Sequence, residues 1–143
     1  MVSDHSPCTP DLKEKGHGSF LEAWGGVSGL EFSLSATWTE AARRGHSLAE
    51  VVNWVATRPA RLVGLSQTKG RLAPGLDADL VLFDPDHEWQ VADALIHHRH
   101  KVTPYASRTL KGKVRATYVR GRKVYEDGQF TSEPFGSFLM RGS

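Results

Sequence analysis

The apolar residues change their spacing once along this chain, near residue 69, and that change limits the folds it can adopt. Before it, Leu30, Leu34, Trp38, Ala41 and Ala42 recur at helical intervals, so that one face of a helix is apolar. After it, residues 78–83 read ADLVLF, a mostly apolar run bounded by Gly75 and Pro85. The run predicts a well-buried strand. Farther on, Val114, Ala116 and Tyr118 alternate with Arg115, Thr117 and Val119, the period of two of a half-exposed strand. Helices come first and strands second, and neither half is self-sufficient. The helices need a surface for their apolar face, and the strands make at most a small sheet.

Local punctuation refines this outline. Gly45 follows two arginines and ends the first helix as a C′ glycine. Ser47-Leu48-Ala49-Glu50 predicts a capping box at the start of the next, which Val51, Val52, Trp54 and Val55 continue. Pro59 ends that helix or begins a short one through Arg61 to Leu65. Arg120-Gly121 turns the strand into a hairpin with residues 122–125, and Asp127-Gly128 is a second turn signal. Residues 1–29, rich in Gly, Pro, Ser and charge, read as a long loop, and residues 131–143 as a loose tail.

Composition excludes several function classes. Eighteen basic residues against 16 acidic ones give a net charge of +2, too little to argue for nucleic acid or an acidic membrane surface. The aromatic residues do not interleave with a basic stripe, so no nucleic-acid partner is expected. No run approaches the ~18 apolar residues of a membrane span, and no leader peptide is visible. Cys8 is the single cysteine, so no internal disulfide forms and an intracellular, cytoplasmic setting is expected.

Few residues are placed to carry chemistry. Asp4 can act as a general base or ligate a divalent cation, although one Asp is not a metal site and Asp also serves turns. His5 beside it reads as a hydrogen-bonded residue, and Cys8 as a partly buried thiol. His97-His98-Arg99-His100 imitates a ligand cluster. Its spacing puts neighbouring histidines on different faces, so it reads as structural. Asp77 and Asp79 read as turn and cap residues. Trp24-Gly25-Gly26-Val27-Ser28-Gly29 exposes backbone that a ligand can approach.

Several of these pieces together resemble one family. Ser3-Asp4-His5-Ser6-Pro7-Cys8, Ala23-Trp24-Gly25-Gly26-Val27-Ser28-Gly29-Leu30, Arg58-Pro59-Ala60-Arg61-Leu62 and Gly75-Leu76-Asp77-Ala78-Asp79-Leu80-Val81 resemble the C-terminal third of the cyclic amidohydrolases. The first two, with His100-Lys101-Val102-Thr103-Pro104-Tyr105, are most similar to the allantoinases within that superfamily. The resemblance covers residues 2–130. It implies an α/β fold, the C-terminal portion of a (β/α)8 barrel followed by part of a small β-sandwich. Residues 1–68 would hold barrel strand 8 at Val2-Ser3, the active-site loop and the terminal helices. Residues 69–130 would be the β-sandwich segment and 131–143 the tail. Barrel active sites lie at the C-terminal strand ends, which is where this places Asp4.

The resemblance implies a function as well. Members hydrolyse a cyclic amide, for allantoinases allantoin to allantoate in purine breakdown, at two divalent metals, usually zinc, bridged by a carbamylated lysine. Asp4 matches the aspartate that ligates one metal and moves the proton. Gly25, Gly26 and Val27 match the segment that meets the small-molecule ureide or cyclic amide. Cys8 stands where dihydroorotases carry a histidine for a substrate carboxylate, a group allantoin lacks. The family's H-x-H pair, bridging lysine and two further histidines have no counterpart here. The chain is therefore expected to be a C-terminal fragment, inactive alone, of a homo-oligomeric parent. Trp24, Trp38 and Trp54 are expected to lose their packing partners and leave apolar surface exposed. The alternatives are a hydantoinase or dihydropyrimidinase, and a non-catalytic scaffold derived from this fold.

Overall fold

The computed structural model describes residues 1–131 and 133–139. Helical segments come first, then an antiparallel sheet, as the change of spacing predicts. The leading stretch is not all loop. A one-turn helix, α1 (Pro10–Glu14), interrupts it, with Pro10 and Asp11 in its first turn and Lys13 in its last. Five residues are too few to show a helical period, which is why hydrophobic spacing misses it. The barrel strand expected at Val2-Ser3 does not form: a single parallel bridge joins His5 to Val27. A strand needs neighbouring edges, and the described residues offer this one only Val27.

The second segment follows its local signals closely. A single 3₁₀ turn (Leu30–Phe32) leads into α2 (Ser33–Arg43). The helix ends in a Schellman motif. Gly45, at φ +81°, donates to Ala42 O at 3.0 Å and His46 donates to Ala41 O at 3.0 Å. Helix α3 (Leu48–Val52) opens with the expected capping box, the Ser47 N–H donating to Glu50 Oε2 at 2.9 Å and the Glu50 N–H to Ser47 Oγ at 3.3 Å. Pro59 stands in the first turn of the next, short helix, the second of its two expected roles, although that helix closes at Leu62 and not Leu65. The backbone stays helical through a π turn (Asn53–Thr57) into α4 (Arg58–Leu62). Pro59 has no N–H to give the preceding turn, and the widened turn, with Arg58 N–H reaching Asn53 O, absorbs it.

The sheet is a meander in the order β1 (Leu80–Gln90), β2 (Thr109–Val119), β3 (Arg122–Glu126), β4 (Gln129–Phe130). Both hairpin turns are where the sequence puts them. Arg120 and Gly121 have φ of 47° and 78°, Asp127 and Gly128 40° and 97°, the paired positive values of a type I′ turn. The first strand differs from expectation in length and burial. It runs past Pro85 to Gln90, and Val81 and Leu82 are 44% and 51% exposed. It is an edge strand, where proline is tolerated, and its register breaks between Asp84 and Glu88 to pass Pro85.

Helix α2 lies on this sheet. Trp38 Nε1 donates to Pro85 O at 2.7 Å, and Thr39 Oγ1 accepts from Lys111 N–H at 2.8 Å. One apolar cluster gathers Trp38, Ala41 and Val51, with Trp54 and Phe83 against it. The other gathers Phe32, Val91, Ile96 and Leu110. Trp38 and Trp54 therefore keep partners inside the chain, contrary to expectation, because the sheet supplies the surface that α2 needs. Trp24 remains 62% exposed, and Phe20, Leu21 and Leu62 project into solvent. Asp77 and Asp79 are structural, as expected. Both accept from Lys69 Nζ, Asp77 at 2.8 Å, and Asp79 also accepts the Arg120 N–H at 2.8 Å. Residues 131 and 133–139 of the tail form no helix or strand; its other residues lie outside those described. Among the described residues no helix is long and apolar enough to cross a membrane.

Candidate active site

Asp4 is exposed and has φ of 47°, a left-handed conformation that glycine, asparagine and aspartate reach most readily. Arg120 and Asp127 share this conformation in the hairpin turns, so Asp4 is set apart by its exposed carboxylate, unpaired among the described residues, and not by its backbone alone. Its neighbour Ser6 fixes it to the glycine-rich segment. Ser6 N–H donates to Val27 O at 3.0 Å, and Val27 N–H donates to Ser6 Oγ at 3.2 Å. Gly26, at φ +88°, lies so close that a Cβ there would stand 2.5 Å from Ser6 O. Only glycine fits.

The other side of this segment is held by α1. Trp24 N–H donates to Leu12 O at 2.9 Å. Lys13 Nζ donates to the carbonyls of Trp24, Gly25 and Gly26 at 2.8, 2.9 and 2.7 Å. Farther along, Thr103 Oγ1 donates to Ser28 O at 2.6 Å, and Tyr105 packs on Gly29. The segments Trp24-Gly29 and His100-Tyr105, both singled out in the sequence, thus meet. Of the expected site residues, Asp4, Gly25, Gly26 and Val27 come together. Cys8 is a free thiol and only 8% exposed, the packed environment of its plainer reading.

Two supporting residues escaped sequence reasoning, Lys13 and Glu31. Glu31 explains the histidine cluster. Its carboxylate accepts the His97 N–H at 3.1 Å, His97 Nδ1 at 3.0 Å and His98 Nδ1 at 2.7 Å. His97 Nε2 donates to Gly128 O at 2.8 Å, and the His98 ring stands edge-on to His5 at 5.7 Å. His5 Nδ1 in turn accepts the Leu30 N–H at 3.2 Å. The cluster is structural, as its spacing suggests, and no short motif could have announced a carboxylate 66 residues away. Burial raises the Glu31 carboxyl, but the hydrogen bonds from His97 and His98 together outweigh it, and the group lies below its usual value of 4.5.

The sign of the resulting pH dependence follows. A depressed carboxyl contributes stability above pH 4.5 and loses it as pH falls through the folded-state value. Glu31→Gln is expected to cost on the order of 1.5–3 kcal/mol at neutral pH. The gap to the parent should close in acid, as followed by thermal melts across pH 3–7 (roughly the carboxylate range). A gap independent of pH would show that the charge contributes nothing.

A cleft of about 290 Å³ is lined by Glu31 and His97 together with Phe32, Trp89, Tyr125 and Phe130 among others. Asp4 is not part of it. Among the described residues no three His, Cys, Asp or Glu side chains stand close enough to hold a metal ion. Asp4 is a single ligating side chain, so these residues do not by themselves fit the dinuclear zinc centre that the resemblance implies.

Over 141 residues the chain is 52% identical to the allantoinase of Streptomyces avermitilis, covering 99% of this chain and 31% of that protein. It is 43% identical to the allantoinase of Arabidopsis thaliana, covering 98% and 28%. The chain thus spans about a third of the relatives it matches. Among solved structures, a D-hydantoinase superposes with a TM-score of 0.89 at 32% identity, over 97% of this chain and 31% of that one. The D-hydantoinase (dihydropyrimidinase) from Thermus sp. superposes with a TM-score of 0.82 at 29% identity, over 92% and 29%. The amidohydrolase family description matches residues 1–124, from the Asp4 loop into β3, and the chain belongs to that family.

Proposed function

We propose that the protein carrying this chain opens the ring of a cyclic amide by hydrolysis, with allantoin as substrate and allantoate as product. The observation that carries this reading is Asp4, a carboxylate held exposed at positive φ beside a glycine segment whose backbone a small molecule can approach. Asp4 takes the proton from the attacking water as its oxygen bonds to the ring carbonyl carbon. It returns that proton to the ring nitrogen as the carbon–nitrogen bond breaks. Gly25, Gly26 and Val27 bind the ring through their main chain, and Cys8, small and uncharged where dihydroorotases carry a histidine, suits a ring without a carboxylate. A zinc centre would draw on Asp4 as one ligand and on residues outside this chain for the others, so no step is assigned to it here.

Identity favours allantoin over the alternative ring. It is 52% to the allantoinase of Streptomyces avermitilis and 32% to a D-hydantoinase of solved structure. An exposed carboxylate with no hydrogen-bond partner among the described residues speaks for catalysis over a non-catalytic scaffold. The test is a fusion in which this chain replaces the matched 31% of the Streptomyces avermitilis allantoinase. The fusion is expected to turn over allantoin in preference to hydantoin and dihydrouracil. Turnover of dihydrouracil without allantoin would transfer the reading to the dihydropyrimidinases.

A further inference from the structure

We infer that Lys13 is a positioning residue, whose ammonium sets the peptide orientations of the loop carrying Gly25 and Gly26. The inference rests on the reading of that loop as the substrate-binding segment, and deepens it. A lysine ammonium has three N–H donors. Here the carbonyls of Trp24, Gly25 and Gly26 take all of them at 2.7–2.9 Å. Among the described residues Lys13 has no carboxylate partner, so its charge is spent on backbone dipoles alone.

Three successive carbonyls drawn to one point is an arrangement that a chain does not adopt unaided, because their negative ends repel. With the oxygens gathered on Lys13, the loop's amides face away from it. Trp24 N–H is bound to Leu12 O and Val27 N–H to Ser6 Oγ. The Gly25 and Gly26 N–H groups have no protein partner among the described residues. The loop's unused main-chain groups are therefore donors, and its acceptors are already occupied. Gly26 makes this possible, since its positive φ turns the peptide plane beside Ser6. Lys13 thus acts on substrate through Gly25 and Gly26 and does not touch the reacting atoms.

The test uses the fusion described above with Lys13→Met and Lys13→Arg. Methionine keeps the length and apolar stem and removes the charge; arginine keeps the charge in a planar fork that cannot meet three converging carbonyls. Lys13→Met is expected to raise the KM for allantoin by about 10- to 100-fold with kcat changed far less. Hydrogen exchange should quicken at the Trp24 and Val27 amides and stay unchanged in the sheet. Lys13→Arg should recover part of the KM. Unchanged exchange at Trp24 and Val27 in Lys13→Met overturns the inference, whatever the activity. Quickened exchange with an unaltered KM leaves the positioning role standing and overturns the substrate-binding reading of the loop.

Discussion

Asp4→Asn is expected to lower kcat for allantoin by about 10²- to 10⁴-fold in the fusion with the Streptomyces avermitilis protein, the usual loss when a general acid–base group is removed. The substitution is chosen for its backbone. Asparagine tolerates the left-handed region as well as aspartate does, so φ of 47° costs nothing new. The side chain is exposed, and its carboxylate makes no hydrogen bond among the described residues, so stability should move by less than about 0.5 kcal/mol. The carboxamide cannot take up the proton. KM should change little, which separates this variant from Lys13→Met. Asp4→Ala would add roughly 1–2 kcal/mol of backbone strain and confuse the two effects. An Asn variant that retains full kcat would remove Asp4 from the chemistry.

Gly112→Ala is expected to be the most destabilising added methyl group in the molecule. Gly112 is buried within β2 at φ +89°. A Cβ there would lie 2.2 Å from Phe83 Cζ and 2.6 Å from Trp38 Cδ1. Both rings belong to the cluster that seats α2 on the sheet, and Trp89 Nε1 donates to the Gly112 carbonyl at 2.9 Å. Strain of about 1–2 kcal/mol adds to overpacking of about 1–3 kcal/mol. The sum, about 2–5 kcal/mol, is a large share of the ~5–15 kcal/mol that holds a small domain together. Gly45→Ala is the control, since Gly45 has φ of +81° and nothing within 4 Å. It should lose only the strain. Equal shifts of the urea midpoint in the two variants would mean that the rings do not close over Gly112.

What the sequence discloses divides by distance along the chain. The Schellman ending at Gly45, the Ser47–Glu50 box and both type I′ turns each depend on a few adjacent residues, and each stands as expected. Pro59, in the first turn of α4, follows one of the two outcomes its sequence allows, whereas β1 departs from expectation because its outcome is decided elsewhere: an edge position with a broken register lets it run through Pro85. The site divides the same way. Asp4 and the glycine segment were legible through a family resemblance. Lys13 was not, because its partners lie 11 to 13 residues away across a loop with no period. Glu31 was not, because its partners lie 66 and 67 residues away.

The interrupted edge of β1 has a consequence for how this chain behaves at high concentration. A continuous bare strand edge is a template on which further copies can stack into fibrils. Along β1 that template is cut in two. Pro85 withholds a donor, and the break in register that carries it prevents a straight run of pairing from Leu80 to Gln90. The Asp86 side chain beside Pro85 is 87% exposed, so an incoming strand meets a charged side chain next to the missing donor. Fibril growth from this side is thereby confined to segments too short to propagate, and the single proline acts as the guard.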